Sequence, residues 1–458
     1  MPETVFFGQI IHSKSFDELE TISNGFLAVC DGVIQGIGNF EDFESWNHEC
    51  KSSLQEVHMN KHQFLMPGFI DCHIHAPQMP NIGLGLDKPL LEWLDTYTFP
   101  LESKYRDVEF ARKIYQKVVR NCLDFGTTTA CYFATIHKEA SEALVEECIS
   151  QGQRAFIGKV NMNMNAPDFY IETLHDSVKN TEDFVEFTLG KNNKLVQPVI
   201  TPRFAITCDE SLMKSLAAIA KNHNLLIQSH ISENLNEISF VKELFPKAGS
   251  YANVYKECGL LTEKTIMAHC CHLENDELDI FRNTGTSAIH CPTSNSNLSS
   301  GLCDVRRIQD SSVRVGLGSD ISGGNKVGIF DVMRHALDVS QHLKFIKQQE
   351  IKGTGKLAPT EKNSTYVPMN YKNVFYLATQ GGADSLSIGH KVGNFIPGKE
   401  FDALMIDTSL MPIIDYEIES TRKDGNEILD KLEKFIYVGD DRNIIEVYVN
   451  GKEVKKNK

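Results

Sequence analysis

The sequence has no C-x-x-C pair among its twelve cysteines, which are scattered along 458 residues. Free thiols in a reducing cytoplasm are the expectation for such a chain, not a disulfide framework. It also lacks a run of eighteen apolar residues, so no membrane span is expected. The opening stretch Met1–Gln9 has neither a basic region nor a long apolar one, so no secretory signal is expected. Positive charge is in deficit: 46 Lys and Arg against 61 Asp and Glu give a net charge of −15. Because affinity for nucleic acids rests on neutralising phosphates, this balance excludes a general polyanion-binding surface. The one basic cluster, Lys452, Lys455, Lys456 and Lys458, reads as a solvated end. Short-period repeats and low-complexity tracts are absent as well.

What is present is a recurring unit: a short β-branched or apolar run, a polar loop, then a helical pattern. Eight such runs occur: Leu65–His75, Thr127–Phe133, Ala155–Met162, Val196–Phe204, Leu225–His230, Thr265–Cys270, Ser287–Cys291 and Arg314–Ser319. Strands alternating with helices predict a parallel sheet, and eight of them predict a (β/α)₈ TIM-like barrel in the α/β class. Between them, Phe110, Ile114, Val118, Val119 and Cys122 form an apolar stripe at helical spacing, with Gly126 as a stop. Ile238, Val241, Leu244 and Phe245 repeat the pattern, ended by Pro246.

The two ends read differently. Thr4–Ile11, Phe26–Val33, Asp402–Ile406 and Glu446–Val449 are short strand-like runs, with turns at Asp31-Gly32, Gly36–Gly38 and Asn450-Gly451 and no long helical periodicity. The expected division is a barrel over 67–393 and a small β-sandwich domain assembled from 1–66 and 394–458. The Lys-, Gly-, Pro- and Thr-rich stretch Lys344–Asn373 is expected to be an extended loop.

Functional residues of such barrels gather at the C-terminal strand ends. The first strand ends in Asp71-Cys72-His73-Ile74-His75. Side chains two apart on a strand share a face, so His73 and His75 point into the barrel mouth and Ile74 towards the helices. An isolated H-x-H is better read as two unrelated histidines. Here His230, His269 and Asp320 also fall at the ends of the fifth, sixth and eighth strands, and the whole set is hard to reach by chance. Three imidazoles and one carboxylate, His73, His75, His230 and Asp320, suit Zn²⁺ and, less specifically, Fe²⁺. The fourth strand ends in Thr201-Pro202-Arg203, with no lysine to bridge a second ion, so one metal per chain is expected. His290, on the seventh strand, reads as core. Glu233 lies three residues past His230, placed to reach a substrate without binding the metal, and is assigned the proton shuttle.

At these residues the chain becomes recognisable. Met66–His75 resembles the first-strand signature of the amidohydrolase superfamily, and the set His73, His75, His230, Glu233, His269 and Asp320 is similar to its mononuclear deaminase branch. The stretches HIHAPQ (His73–Gln78), LLEWL (Leu90–Leu94), GTTTACYFAT (Gly126–Thr135), TPRF (Thr201–Phe204), QSHISEN (Gln228–Asn234) and VGDDRN (Val438–Asn443) resemble the members that act on guanine. Pro77, where a small polar residue is usual, and Cys270-Cys271-His272 are small departures. This is not the deaminase type whose zinc is held by H-x-E and P-C-x-x-C motifs.

The resemblance implies hydrolytic deamination of guanine to xanthine and ammonia, as in purine catabolism. Metal-activated water attacks C2, and His269 and Asp320 hold and deprotonate it. Arg203 offers only donors, which suits the acceptors of guanine and opposes the amine of adenine. Gln78 both donates and accepts, and Phe204 can stack on the ring. His230, Glu233 and Asp320 complete the substrate contacts. A cytoplasmic homodimer with a small-molecule purine substrate, and no nucleic-acid or membrane partner, is the associated expectation. The competing readings are a related enzyme acting on a pterin, cytosine or triazine and a non-catalytic scaffold. Retention of every ligand and of Glu233 weighs against the scaffold.

Overall fold

The chain changes sheets at a single peptide. Gly68 donates its N–H to Asp402 O in a sheet built from the two ends of the chain, and Phe69 donates its N–H to Gly126 O in the central barrel. In the computed structural model, which describes residues 3–47, 54–348, 365–411, 413–414 and 420–456, the expected strand Leu65–His75 is therefore two. Pro67 has no N–H to continue a ladder. A Cβ on Gly68 would lie 2.2 Å from Thr128 Oγ1, so only glycine lets the chain cross this close to its neighbour.

The strands run β1 (Glu3–Ser13), β2 (Leu19–Cys30), β3 (Val33–Asn39), β4 (Leu54–His58), β5 (Gln63–Pro67), β6 (Phe69–His75), β7 (Thr127–Phe133), β8 (Arg154–Gly158), β9 (Val160–Asn161), β10 (Val196–Pro202), β11 (Leu226–Ile231), β12 (Thr265–His269), β13 (Ser287–His290), β14 (Val315–Leu317), β15 (Ala403–Asp407), β16 (Ile444–Val449) and β17 (Lys452–Lys456). Eight of them, β6, β7, β8 and β10 to β14, pair in parallel and in that order, with the short β9 beside β10. The barrel is drawn shut beyond β14, where Asp320 N–H donates to His73 O at 2.8 Å and His75 N–H to Ile321 O at 3.2 Å. Every residue of β6, β7 and β8 is buried, as expected for parallel strands enclosed by helices on one side and packed side chains on the other.

Those helices form where the sequence stripes predict them. Helix Val108–Asp124 starts at Asp107, whose carboxylate accepts from the N–H groups of Glu109 and Phe110, and it buries Tyr115, Val118, Val119 and Cys122. Helix Leu235–Leu244 begins with a capping box between Asn234 and Glu237 and ends just before Pro246. No helix among the described residues is long and apolar enough to cross a membrane.

The remaining strands form one sheet in the order β17-β16-β15-β5-β1-β2-β3. There β1 pairs β4 along one half and β5 along the other, and its register against β2 shifts after Gly8. Arg154 on β8 ties barrel to sheet: its guanidinium donates to both carboxylate oxygens of Asp402 at 2.9 Å and to Glu400 at 2.7 Å.

Several sequence expectations need correction. Gly36–Gly38, expected as a turn, lies within β3. The ends do hold a long helix, Glu427–Val438, whose stripe Ile428, Leu432, Phe435 and Ile436 is buried. Phe435 stacks on Phe69 of the barrel with ring planes 6° apart. Lys452–Lys456 is an edge strand, a place where lysines discourage further pairing. Of the expected loop Lys344–Asn373, the first residues continue helix Ile329–Gln348 and the last open helix Tyr371–Ala378. Positions 349–364 lie outside the described residues.

Candidate metal centre and active site

Asp71 sets the register on which the site depends. Its buried carboxylate accepts from His73 N–H at 3.2 Å, from Ser319 N–H at 3.0 Å and from Ser319 Oγ at 2.5 Å, binding the first barrel strand to the last. His73 and His75 consequently face the mouth beside Asp320, and Ile74 packs into the helix-side core. His269, the last residue of β12, and Asp320, just beyond β14, take positive φ, 75° and 46°, which turns the backbone out of the sheet at the mouth. Such backbone is sparsely populated for non-glycine residues and persists only where the surroundings fix it.

The ligand atoms converge. His75 Nε2 and His230 Nε2 are 3.2 Å apart, and Asp320 Oδ1 lies 3.2 Å from His73 Nε2 and 3.4 Å from His75 Nε2. Two nitrogens about 2.0–2.1 Å from a tetrahedral zinc would lie roughly 3.3 Å apart, so the set has the spacing of a metal cage. His230 Nδ1–H donates to Arg203 O at 2.6 Å, which leaves Nε2 as the lone-pair nitrogen facing the cluster. Burial holds the His75 and His230 rings well below the ordinary histidine range, hence neutral. His73 Nε2 is buried, with the Asp320 carboxylate 3.2 Å away as its ion-pair neighbour. For Asp320, burial works to raise the pKa but is outweighed by His73, His269 and His75, and the carboxylate is held below its usual range. The converging ring nitrogens of His73, His75 and His230 and the Asp320 carboxylate fit a zinc ion.

Glu233 and His269 sit beside this cluster. Glu233 accepts from Ser300 Oγ at 2.8 Å and its Oε2 lies 3.4 Å from His269 Nε2, while burial pushes its carboxyl up to about 7. His269 Nδ1–H donates to Asn295 Oδ1 at 2.8 Å, so its Nε2 faces Glu233 and, at 3.9 Å, Asp320 Oδ2. For His269, burial acts to lower the pKa, and the carboxylates of Glu233 and Asp320 override it. His290 is buried apart from the ligand groups, with neither ring nitrogen hydrogen-bonded among the described residues. That agrees with its reading as core.

The cluster opens into a cavity that Gln78, Arg203, Phe204 and Glu233 also line. Leu90, Trp93 and Leu94 line it as well. Behind the wall stands Glu102, which the sequence reading missed. It is fully buried and pairs with Arg203 at 2.7 Å. A signal for it existed: Leu90, Leu94, Leu101 and Glu102 share the buried face of a continuous helical segment, and a carboxylate on an apolar stripe calls for a partner. Asn295 and Tyr170 were missed too, and nothing local marks them.

Residues 64–454 match the Amidohydrolase family. The guanine deaminase of Dictyostelium discoideum is 43% identical over 98% of each chain. That of Mus musculus is 45% identical over 98% of this chain and 96% of its own. Among solved structures, guanine deaminase from C. acetobutylicum with bound guanine in the active site superposes with a TM-score of 0.86 at 36% identity, covering 98% of this chain and 99% of that one. A triazine hydrolase, at 15% identity and a TM-score of 0.78, shares the fold. With the His and Asp cluster at its barrel mouth and relatives matched from end to end, this chain belongs to the amidohydrolase family and, within it, to the guanine deaminase family.

Proposed function

We propose that this chain hydrolyses guanine to xanthine and ammonia at one zinc ion held by His73, His75, His230 and Asp320. The observation that carries the reading is that His75, His230 and Asp320, the proton carrier Glu233, and the purine-reading side chains Arg203 and Gln78 all face one cavity. When bound, zinc supplies Lewis acidity and brings the pKa of water towards neutrality.

The protein's own groups do the rest. Glu233, its carboxyl pushed up to about 7 by burial, takes one proton from the attacking water and passes it to the ring nitrogen beside C2, then carries the second, from the new C2 hydroxyl, to the amine that leaves as ammonia. His269 and Asp320, on either side of the same space, hold that water over C2 of the base. Arg203 presents only N–H donors and matches the acceptors of guanine, whereas the amine of adenine would leave a buried charged donor unpaired. The Phe204 ring, 6.3 Å from that of His230, flanks the base. The accompanying assignment is a cytoplasmic homodimer, consistent with free thiols at every cysteine of the described residues.

Purified, zinc-loaded protein incubated with guanine should release xanthine and ammonia, with a higher kcat/KM than for a pterin, cytosine or a triazine. Bound zinc without product would overturn the reading.

A further inference from the structure

Glu102 makes no wall of the cavity, yet the residues that read the substrate are fastened to it. Its Oε2 accepts from Arg203 Nη1 at 2.7 Å and from the Tyr170 hydroxyl at 2.7 Å. Its Oε1 accepts from Gln78 Nε2 at 2.8 Å and from Arg203 Nη2 at 3.3 Å. Gln78 Oε1 in turn accepts from Ser322 N–H at 3.1 Å, so the amide has one orientation. These partners come from separate parts of the barrel mouth: Gln78 follows β6, Tyr170 lies between β9 and helix Leu174–Gly190, and Arg203 follows β10. Glu102 closes the helical segment that begins at Leu90 and contributes Trp93 and Leu94 to the cavity lining.

We infer that Glu102 is a positioning residue for substrate recognition: it aims Arg203 and Gln78 at the purine edge and cancels the charge of Arg203, so that the site selects an uncharged purine over an anionic one. The inference rests on the guanine reading above. A carboxylate offers about four acceptor positions, and here four donors occupy them. The guanidinium therefore turns its remaining N–H groups towards the cavity while its counter-charge stays behind the wall. The Glu102 side chain is 0% and the Arg203 side chain 3% exposed, so water does little to screen either charge, and Arg203 presents directed donors whose charge Glu102 offsets. An anionic purine would have to displace Glu102 as the partner of Arg203. A neutral base asks only for the donors already in place.

The test uses the zinc-loaded full chain as wild type, Glu102→Gln, Glu102→Asp and Tyr170→Phe. Zinc content, kcat and KM for guanine, and calorimetric binding of urate as an anionic purine are measured for each. Zinc content should stay at the wild-type level throughout. Glu102→Gln, which frees the Arg203 charge, should raise KM about tenfold or more, lower kcat by less, and tighten urate binding about tenfold. Glu102→Asp keeps the charge and should bind urate as weakly as wild type, with KM still raised by the shorter reach. Tyr170→Phe should raise KM less than Glu102→Gln.

Glu102→Gln with unchanged KM and urate affinity, or with a loss confined to kcat, overturns the inference. If Glu102→Gln does not fold, a wild-type KM in Glu102→Asp does so. A zinc-loaded wild type that neither binds nor converts guanine fails earlier and overturns the guanine reading itself.

Discussion

The main-chain carbonyl of Arg203 accepts a 2.6 Å hydrogen bond from Nδ1 of His230, while the guanidinium of the same residue lines the cavity. In the proposed site one residue thus orients a candidate metal ligand through its backbone and faces the substrate cavity through its side chain. The two roles can be separated, because a side-chain substitution leaves the carbonyl in place.

Arg203→Ala should accordingly retain zinc while kcat/KM for guanine falls. Losing a charged hydrogen bond to the base is worth about 1.5–3 kcal/mol, roughly ten- to a hundredfold. It also leaves the buried Glu102 carboxylate without its partner, at a stability cost of about 3–5 kcal/mol. Steady-state kinetics with metal quantitation checks this. Zinc loss at a wild-type KM would contradict the separation.

Glu233→Gln should keep zinc and lose about 10²–10⁴ in kcat, the usual contribution of a positioned general acid/base. The carboxylate lies outside the groups that can hold the ion, so metal content is the control. A variant with substantial turnover would remove Glu233 from proton transfer.

Arg154→Ala should destabilise the fold by about 3–5 kcal/mol, because Asp402 is left buried without its bidentate partner. Arg154 opens β8, at the end opposite the mouth, so kcat at a temperature where the protein stays folded should match wild type. Urea unfolding and kinetics at that temperature measure the two effects. An equal fall in kcat would show that sheet and site are coupled.

His290 supplies a pH dependence of stability. Burial holds its pKa down at about 3, against 6.5 for an unperturbed histidine. Between these values the unfolded chain binds a proton that the fold excludes. This part of the stability is therefore present above about 6.5 and lost as pH falls, by about 1.4 kcal/mol per unit. His290→Phe, apolar and of similar shape, should flatten the slope of unfolding free energy between pH 5 and pH 7. An unchanged slope would assign the linkage elsewhere.

How much of this was legible beforehand follows from the range of each interaction. The H-x-H at His73 and His75 obeys the two-residue period of a strand, and the eight strand-helix units repeat locally, so the barrel and the candidate ligands at its mouth could be read from order alone. The stripe of helix Glu427–Val438 was equally local and was overlooked among short strand signals. The break at Pro67-Gly68 was different: only the positions of Asp402 and Gly126 decide which sheet each flanking strand joins. Glu102 is separated by 24 residues from Gln78 and by 101 from Arg203, and no spacing rule connects them. The chain's own pattern determined a barrel with a His and Asp cluster at its mouth that could hold a metal, because residues on strands inherit a regular geometry. The second layer, with Glu102 holding Arg203 and Gln78, Asn295 holding His269 and Asp71 holding Ser319, was decided by the fold, since it joins side chains whose proximity arises only when the barrel closes.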